Sequence, residues 1–256
     1  MKRSKLFRLL ALLCGFALVI AACGDDDDSD TGGDEDAQSE TSEPSGDVDC
    51  EVDDADGDYD WANVCRRQAV SMAIDRQAIV DAIFLGSRAP GDDFWPATFA
   101  GYRGECANLQ YNPERAAELW DAAGGSKDGA EFTIWFNSGG GHEGWTEAAA
   151  NQIKDVLYID EITLESLEFA EFLDKLDNAE VNGPFRLGWL MDYPSPGNFL
   201  GPLHATEGSS NTTGYSNEEF DALVESGDAQ SIDDAVADYQ AAGDILCADV
   251  PFAPMF

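Results

Sequence analysis

Residues 50–256 are predicted to fold as an α/β domain, a mainly parallel sheet flanked by helices. Three observations carry that expectation. From Glu131 onward, short β-branched and aromatic runs alternate with amphipathic stretches of helical period. Turn and capping residues separate them at the distances that successive βαβ units require. The 207 residues suffice for one core hiding roughly 70% of the surface exposed by the unfolded chain.

Taken in order, the first helical stretch shows Trp61, Cys65, Ala69, Met72, Ala73, Ile79, Val80 and Ile83 recurring at three and four. Asp75 is placed to cap a second segment, and Gly86 to end it. Asn112-Pro113 opens the next helix, with asparagine as N-cap and proline at the first helical position, and Gly124-Gly125 closes it. Then "EFTIWF" reads as a strand, "EGWTEAAANQIKDVLY" as a helix and "EITLESLEF" as a strand. "AEFLDKLDNA" follows as a helix and "FRLGWL" as a third strand. That strand runs into "GWLMDYPSPGNFL", where Trp189, Asp192 and Tyr193 precede two prolines on a stiff loop. Ser216 with Glu219 has the form of a capping box and Tyr215 with Phe220 that of a hydrophobic staple, before a last helical region ending near Cys247.

The first 49 residues are of another kind. Lys2, Arg3, Lys5 and Arg8 precede an apolar run from Leu9 to Ala22, the length of a signal-peptide core and short for a membrane span. The run ends in Ile20-Ala21-Ala22-Cys23, which resembles the lipobox of bacterial lipoproteins; residues 1–22 are expected to be a signal peptide and Cys23 the lipid-bearing (palmitate) mature terminus. Residues 23–49 are expected to form a disordered tether. From Gly24 to Asp49 there are twelve Asp or Glu, no Lys or Arg and no aromatic, so the segment buries too little apolar surface to offset its ordering entropy. The remaining 39 acidic residues face ten Lys or Arg, giving residues 50–256 a charge near −29. Nucleic acid, which requires a basic footprint, is excluded as an expected partner. Cationic or zwitterionic ligands are favoured over anionic ones.

Four cysteines remain beyond the signal and the lipid site: Cys50, Cys65, Cys106 and Cys247. In an exported chain this even number suggests two disulfides in one of three pairings. Proximity favours Cys50 with Cys65, which leaves Cys106 with Cys247. Zinc is disfavoured, since no C-x-x-C occurs and the histidines are His142 and His204 alone. Asp54, Asp56, Asp58 and Asp60 alternate around Gly57 with calcium-like spacing, but the downstream bidentate glutamate of an EF-hand is missing; a solvated acidic loop is the expectation, with no metal and no cofactor.

"RRQAVSMAIDRQAIVDAIFLG", "YNPERAAELWDAAG", "GWLMDYPSPGNFL", "GYSNEEFDALVESG" and "YQAAGDILCADVPFAPMF" occur in this order. Together they resemble the C-terminal half of the family 5 extracellular solute-binding proteins, the oligopeptide and dipeptide receptors of ABC importers. The resemblance runs from Trp61 onward. It implies one lobe of a type II periplasmic-binding-protein-like clamp, a peptide or other small solute as ligand, an ABC permease as partner, anchoring at the extracytoplasmic face of the cell membrane, no enzymatic activity, and a monomer. It also implies that Asp192 grips a ligand's α-ammonium group, flanked by Trp189 and Tyr193 as cleft walls. Independently of the resemblance, a carboxylate just past a strand's C-terminal end lies where open α/β folds bind ligands. The family's first lobe has no counterpart between the tether and Trp61, so a truncated receptor is expected.

Two other readings compete. "GGGHEG", Gly139 to Gly144, matches G-x-G-x-x-G after a strand and before a helix, with Glu165 and Glu168 near the end of the next strand; this is the pattern of a dinucleotide-binding oxidoreductase. Export and the crowding Trp145 weigh against it. The other reading is a lipoprotein that has lost ligand binding and serves as an interaction surface, because one lobe alone cannot close on a ligand.

Overall fold

A computed structural model describes Cys50 and residues 57–256, which belong to one compact unit. The signal, the tether, Cys23, Asp54 and Asp56 lie outside the described residues. Helices α1 (Val64–Met72) and α2 (Arg76–Ile83) start on asparagine and aspartate caps: Asn63 Oδ1 accepts from the Arg66 N–H and Asp75 Oδ1 from that of Ala78. Helix α3 (Pro113–Ala122) begins on Asn112 and ends where Gly124 and Gly125 adopt the left-handed backbone that lacks steric cost only for glycine. Strand β1 (Thr133–Asn137), helix α4 (Glu143–Leu157) and strand β2 (Thr163–Leu167) form a βαβ unit. Its two strands pair in parallel, Thr133 opposite Thr163 through Asn137 opposite Leu167. Helix α5 (Phe169–Asp177) follows, then α6 (Gly197–His204), α7 (Glu218–Asp228) and α8 (Val236–Asp249).

The fold is therefore α/β with a parallel sheet, but two elements differ from the sequence pattern. "FRLGWL" is not a strand: it meets β1 through a single parallel bridge, Trp135 with Phe185. The Trp135 N–H donates to Pro184 O and the Arg186 N–H to Trp135 O. Pro184 accepts one of these bonds but has no N–H to donate, and Gly188, inside the run, has no side chain to pack, both of which disfavour a longer ladder. The cap of α7 is Asn217, not Ser216. The Asn217 Oδ1 accepts from the N–H groups of Glu219 and Phe220, while the Ser216 hydroxyl pairs with that of Thr206. Tyr215 and Phe220 still meet, ring to ring at 5.9 Å.

Two apolar clusters organise the domain. One packs α1 to α4 and β1 around Trp120, Phe132, Ile153 and Leu157, and the other packs α6 to α8 around Phe94, Trp95, Leu200, Phe220 and Leu246. Polar side chains of α1 and α2 hold the two together by donating to backbone carbonyls near the chain's end. Arg67 Nε reaches Asp249 O at 2.9 Å, Gln68 Nε2 reaches Ala248 O at 2.6 Å, and Arg76 Nε reaches Pro254 O at 2.7 Å. Burial lowers the Arg76 pKa to about 10, and its guanidinium is satisfied by further carbonyls of Ser71 and Leu109. Two disulfides complete the frame, Cys50 to Cys65 and Cys106 to Cys247. No described helix is long and apolar enough to cross a membrane.

Candidate functional site

Because β1, β2 and the bridged segment at Phe185 run parallel, the stretches that follow them gather past the same end of the sheet: Ser138–His142, Glu168 and Leu187–Tyr193. That is the edge on which open α/β folds place ligands. Asp192, Tyr193, Leu190 and Met191 are exposed there, and Trp189 is half-buried. The loop is pinned from below by Asn198, 1% exposed at the start of α6. Its Oδ1 accepts from the Trp189 indole at 3.2 Å and from the Asp192 backbone N–H at 2.8 Å. Ser195 adds a turn by donating to Tyr193 O, and its hydroxyl accepts from Gly197 N–H. Beneath it the buried Tyr239, its pKa pushed up to about 12 mainly by burial, donates to Asp228. The Asp192 carboxylate is thus carried on an ordered backbone. Trp189 also walls a small cleft with Phe185, Leu187, Phe252 and the buried His204, whose pKa burial lowers to about 4.

The cations of this acidic domain reveal a second feature, which reading the sequence missed. Arg66, Arg67 and Arg76 are spent on backbone carbonyls, and Arg103, Arg115, Lys154 and Lys175 on carboxylates. Arg88 and Arg186 have neither among the described residues. Arg186 donates from Nη1 to Asn137 Oδ1 at 3.0 Å, at the C-terminal end of β1, and the bare Cα of Gly188 leaves room for its guanidinium. Arg88 lies over the Phe84 ring, 4.0 Å from its centroid. Burial, and then the proximity of Arg88, lower the Arg186 pKa. His142 stands beside them, its pKa lowered first by burial and then by Arg186. Its Nδ1 accepts from the Trp145 indole at 3.3 Å, which puts the neutral ring's proton on Nε2. Arg88 and Arg186 are thus two like charges close enough to interact, neither with a carboxylate partner among the described residues. The only signal in the sequence was that Arg186 sits in an apolar run.

The other candidates resolve as follows. Gly139 and Gly141 have positive φ, and the His142 ring lies against Gly140, over the loop where a dinucleotide's phosphates would have to approach. Glu168 accepts from the Ser138 hydroxyl at 3.3 Å, and Glu165 is paired within β2. Asp58 spends both oxygens, on the Glu131 N–H and the Asn182 amide, and Asp60 accepts from the Ala62 N–H.

The profile of the bacterial extracellular solute-binding proteins, family 5, matches residues 55–211, more than half of the chain. Heme-binding protein A of Haemophilus influenzae is 30% identical over 170 residues, covering 63% of this chain and 30% of that protein. The periplasmic murein peptide-binding protein MppA of Escherichia coli is 27% identical over 197 residues, covering 74% and 36%. Among solved structures, Escherichia coli MppA superposes with a TM-score of 0.68 at 26% identity, over 76% of this chain and 39% of that one. Haemophilus influenzae OppA in complex with the peptide RPPGFSPFR gives 0.67 at 27% identity, over 76% and 39%. The chain spans between 30% and 39% of the length of these relatives.

Proposed function

The chain belongs to the family 5 bacterial extracellular solute-binding proteins, solute binders rather than enzymes, and from that premise we propose that it is the ligand-receiving part of an ABC importer's receptor for small peptides. One observation carries the reading. A carboxylate on a pinned loop, Asp192, and an arginine with no counter-ion among the described residues, Arg186, sit past the same end of one sheet, with Arg88 near enough to Arg186 to act on its charge. A zwitterion with an α-ammonium group at one end and a carboxylate at the other matches this pair of opposite charges. Trp189 and Tyr193 would flank the amine end with apolar surface. Relatives whose names state peptide binding support the class of ligand. The dinucleotide alternative loses support from the His142 ring over the glycine loop.

The mechanism needs no chemistry on the ligand. The ordered loop offers its carboxylate with little entropy left to lose, and the arginines gain by neutralisation on binding what they lack when free. The described surface is one open wall, so binding by this chain alone is weak, millimolar or poorer, because tight sites enclose most of their ligand. We place Cys23 as the lipid-bearing residue and the acidic segment as the tether holding the domain off the membrane near a permease. Titration by NMR with tri-alanine and N-acetyl-tri-alanine, on wild type and Asp192→Asn, tests the reading. Removing the charge-assisted contact, worth ~1.5–3 kcal/mol, lowers affinity for the free amine about ten- to a hundredfold and leaves the acetylated peptide unaffected. Equal binding of both peptides by wild type removes Asp192 from this role.

A further inference from the structure

The acceptor shared by Trp189 and Asp192 has a function of its own. Both groups that meet Asn198 Oδ1, an indole N–H and a backbone N–H, are donors that cannot accept, so the orientation of the amide is dictated. Asn198 is itself immobilised. Its N–H donates to Ser195 O at 3.1 Å, its side chain is enclosed, and α6 is seated by Leu200, fully buried in the second apolar cluster. Before it, Gly197 packs against Asp228 and the Tyr239 hydroxyl, where a side chain would collide. A single oxygen on a rigid helix thus holds both the aromatic wall and the backbone of the carboxylate, three residues apart on a segment that otherwise has exposed Leu190 and Met191 between them.

We propose that Asn198 is the positioning residue of the amine subsite: its oxygen holds the Trp189 indole and the backbone that carries the Asp192 carboxylate together, so that an ammonium group is received only beside an apolar surface. This rests on the reading of Asp192 as the amine acceptor. Without the oxygen, two N–H groups turn to water and the segment between them loosens, while the charge on Asp192 is unchanged. The cost falls on geometry, and a small displacement of a charged contact weakens it strongly.

The test uses the full chain with Asn198→Ala, with Asn198→Leu, which keeps the volume should the smaller residue fail to fold, and with Asn198→Asp, which keeps an acceptor oxygen in place. Hydrogen exchange of the Trp189 indole and Asp192 amide protons should accelerate at least tenfold in Ala or Leu and return in Asp, with the β1–β2 ladder amides unchanged. Tri-alanine affinity should fall about tenfold in Ala or Leu and recover in Asp, with N-acetyl-tri-alanine unaffected throughout. Unaltered exchange of the two protons, a failure of Asp to restore them, or equal acceleration across the ladder would overturn the proposal. If wild type does not distinguish the two peptides, the amine reading fails, while the exchange comparison still decides whether Asn198 holds the loop.

Discussion

Replacing Arg186 with Met should change the stability of the unliganded protein little while weakening the binding of its ligand. The substitution keeps the aliphatic stem, so packing changes little. What is lost is one partly buried hydrogen bond to Asn137 at 3.0 Å, worth ~1 kcal/mol. What is relieved is the desolvation of a half-buried guanidinium and its repulsion from Arg88, which act against that loss. The two effects oppose each other, so the net change is small, and for a domain of this size each kcal/mol moves Tm by roughly 2–4 °C. Binding moves the other way. Loss of a charge-assisted contact to a ligand carboxylate lowers affinity about ten- to a hundredfold for tri-alanine and leaves tri-alaninamide unaffected. The same variant removes the second-largest influence lowering the His142 pKa, so that pKa rises toward its ordinary 6.5. Thermal melts, NMR titration of both peptides and a pH titration of the His142 ring measure the three effects. A loss of stability above about 2 kcal/mol would show that Arg186 serves the fold, and equal losses for peptide and amide would refute the anion site.

Other expectations are independent of that site. His204 titrates near pH 4 when folded and at its ordinary 6.5 when unfolded, so between these values the unfolded chain holds more protons and stability falls as pH falls. That loss is on the order of 3 kcal/mol between pH 6.5 and 4, and it should disappear in His204→Leu when urea midpoints of the two proteins are compared across that window. Replacing both Cys106 and Cys247 with Ala should lower the melting temperature more than replacing Cys50 and Cys65. The loops span 141 and 15 residues, and chain entropy alone assigns them ~5 and ~3 kcal/mol. Mass spectrometry of the chain isolated from membranes of a producing bacterium should find Cys23 acylated at the amino terminus; an unmodified cysteine there rules out the anchor.

Features set within a few residues were legible without any structure. Asp75 and Asn112 cap the helices they precede, because a cap needs only its own side chain and the N–H three residues on. The β1–α4–β2 unit announces itself by period, since its strands must alternate and its helix must show an apolar stripe. Even the capping box at Ser216 missed by a single residue, its hydroxyl being taken by Thr206 across a loop. The family was readable for a different reason: five blocks in a fixed order carry more information than any one motif. What only tertiary structure decided were the meetings between distant residues. Whether "FRLGWL" continues as a strand depended on Pro184 and Gly188 against a neighbour already paired on its other side. Arg88 and Arg186 look like two cations among ten until the fold brings them close enough to act on each other and on His142, whose pKa both lower. Asn198 is an unremarked polar residue until α6 seats it under Trp189 and Asp192. A hydrogen bond or a charge acts through distance in space, and distance in space is what folding alone supplies.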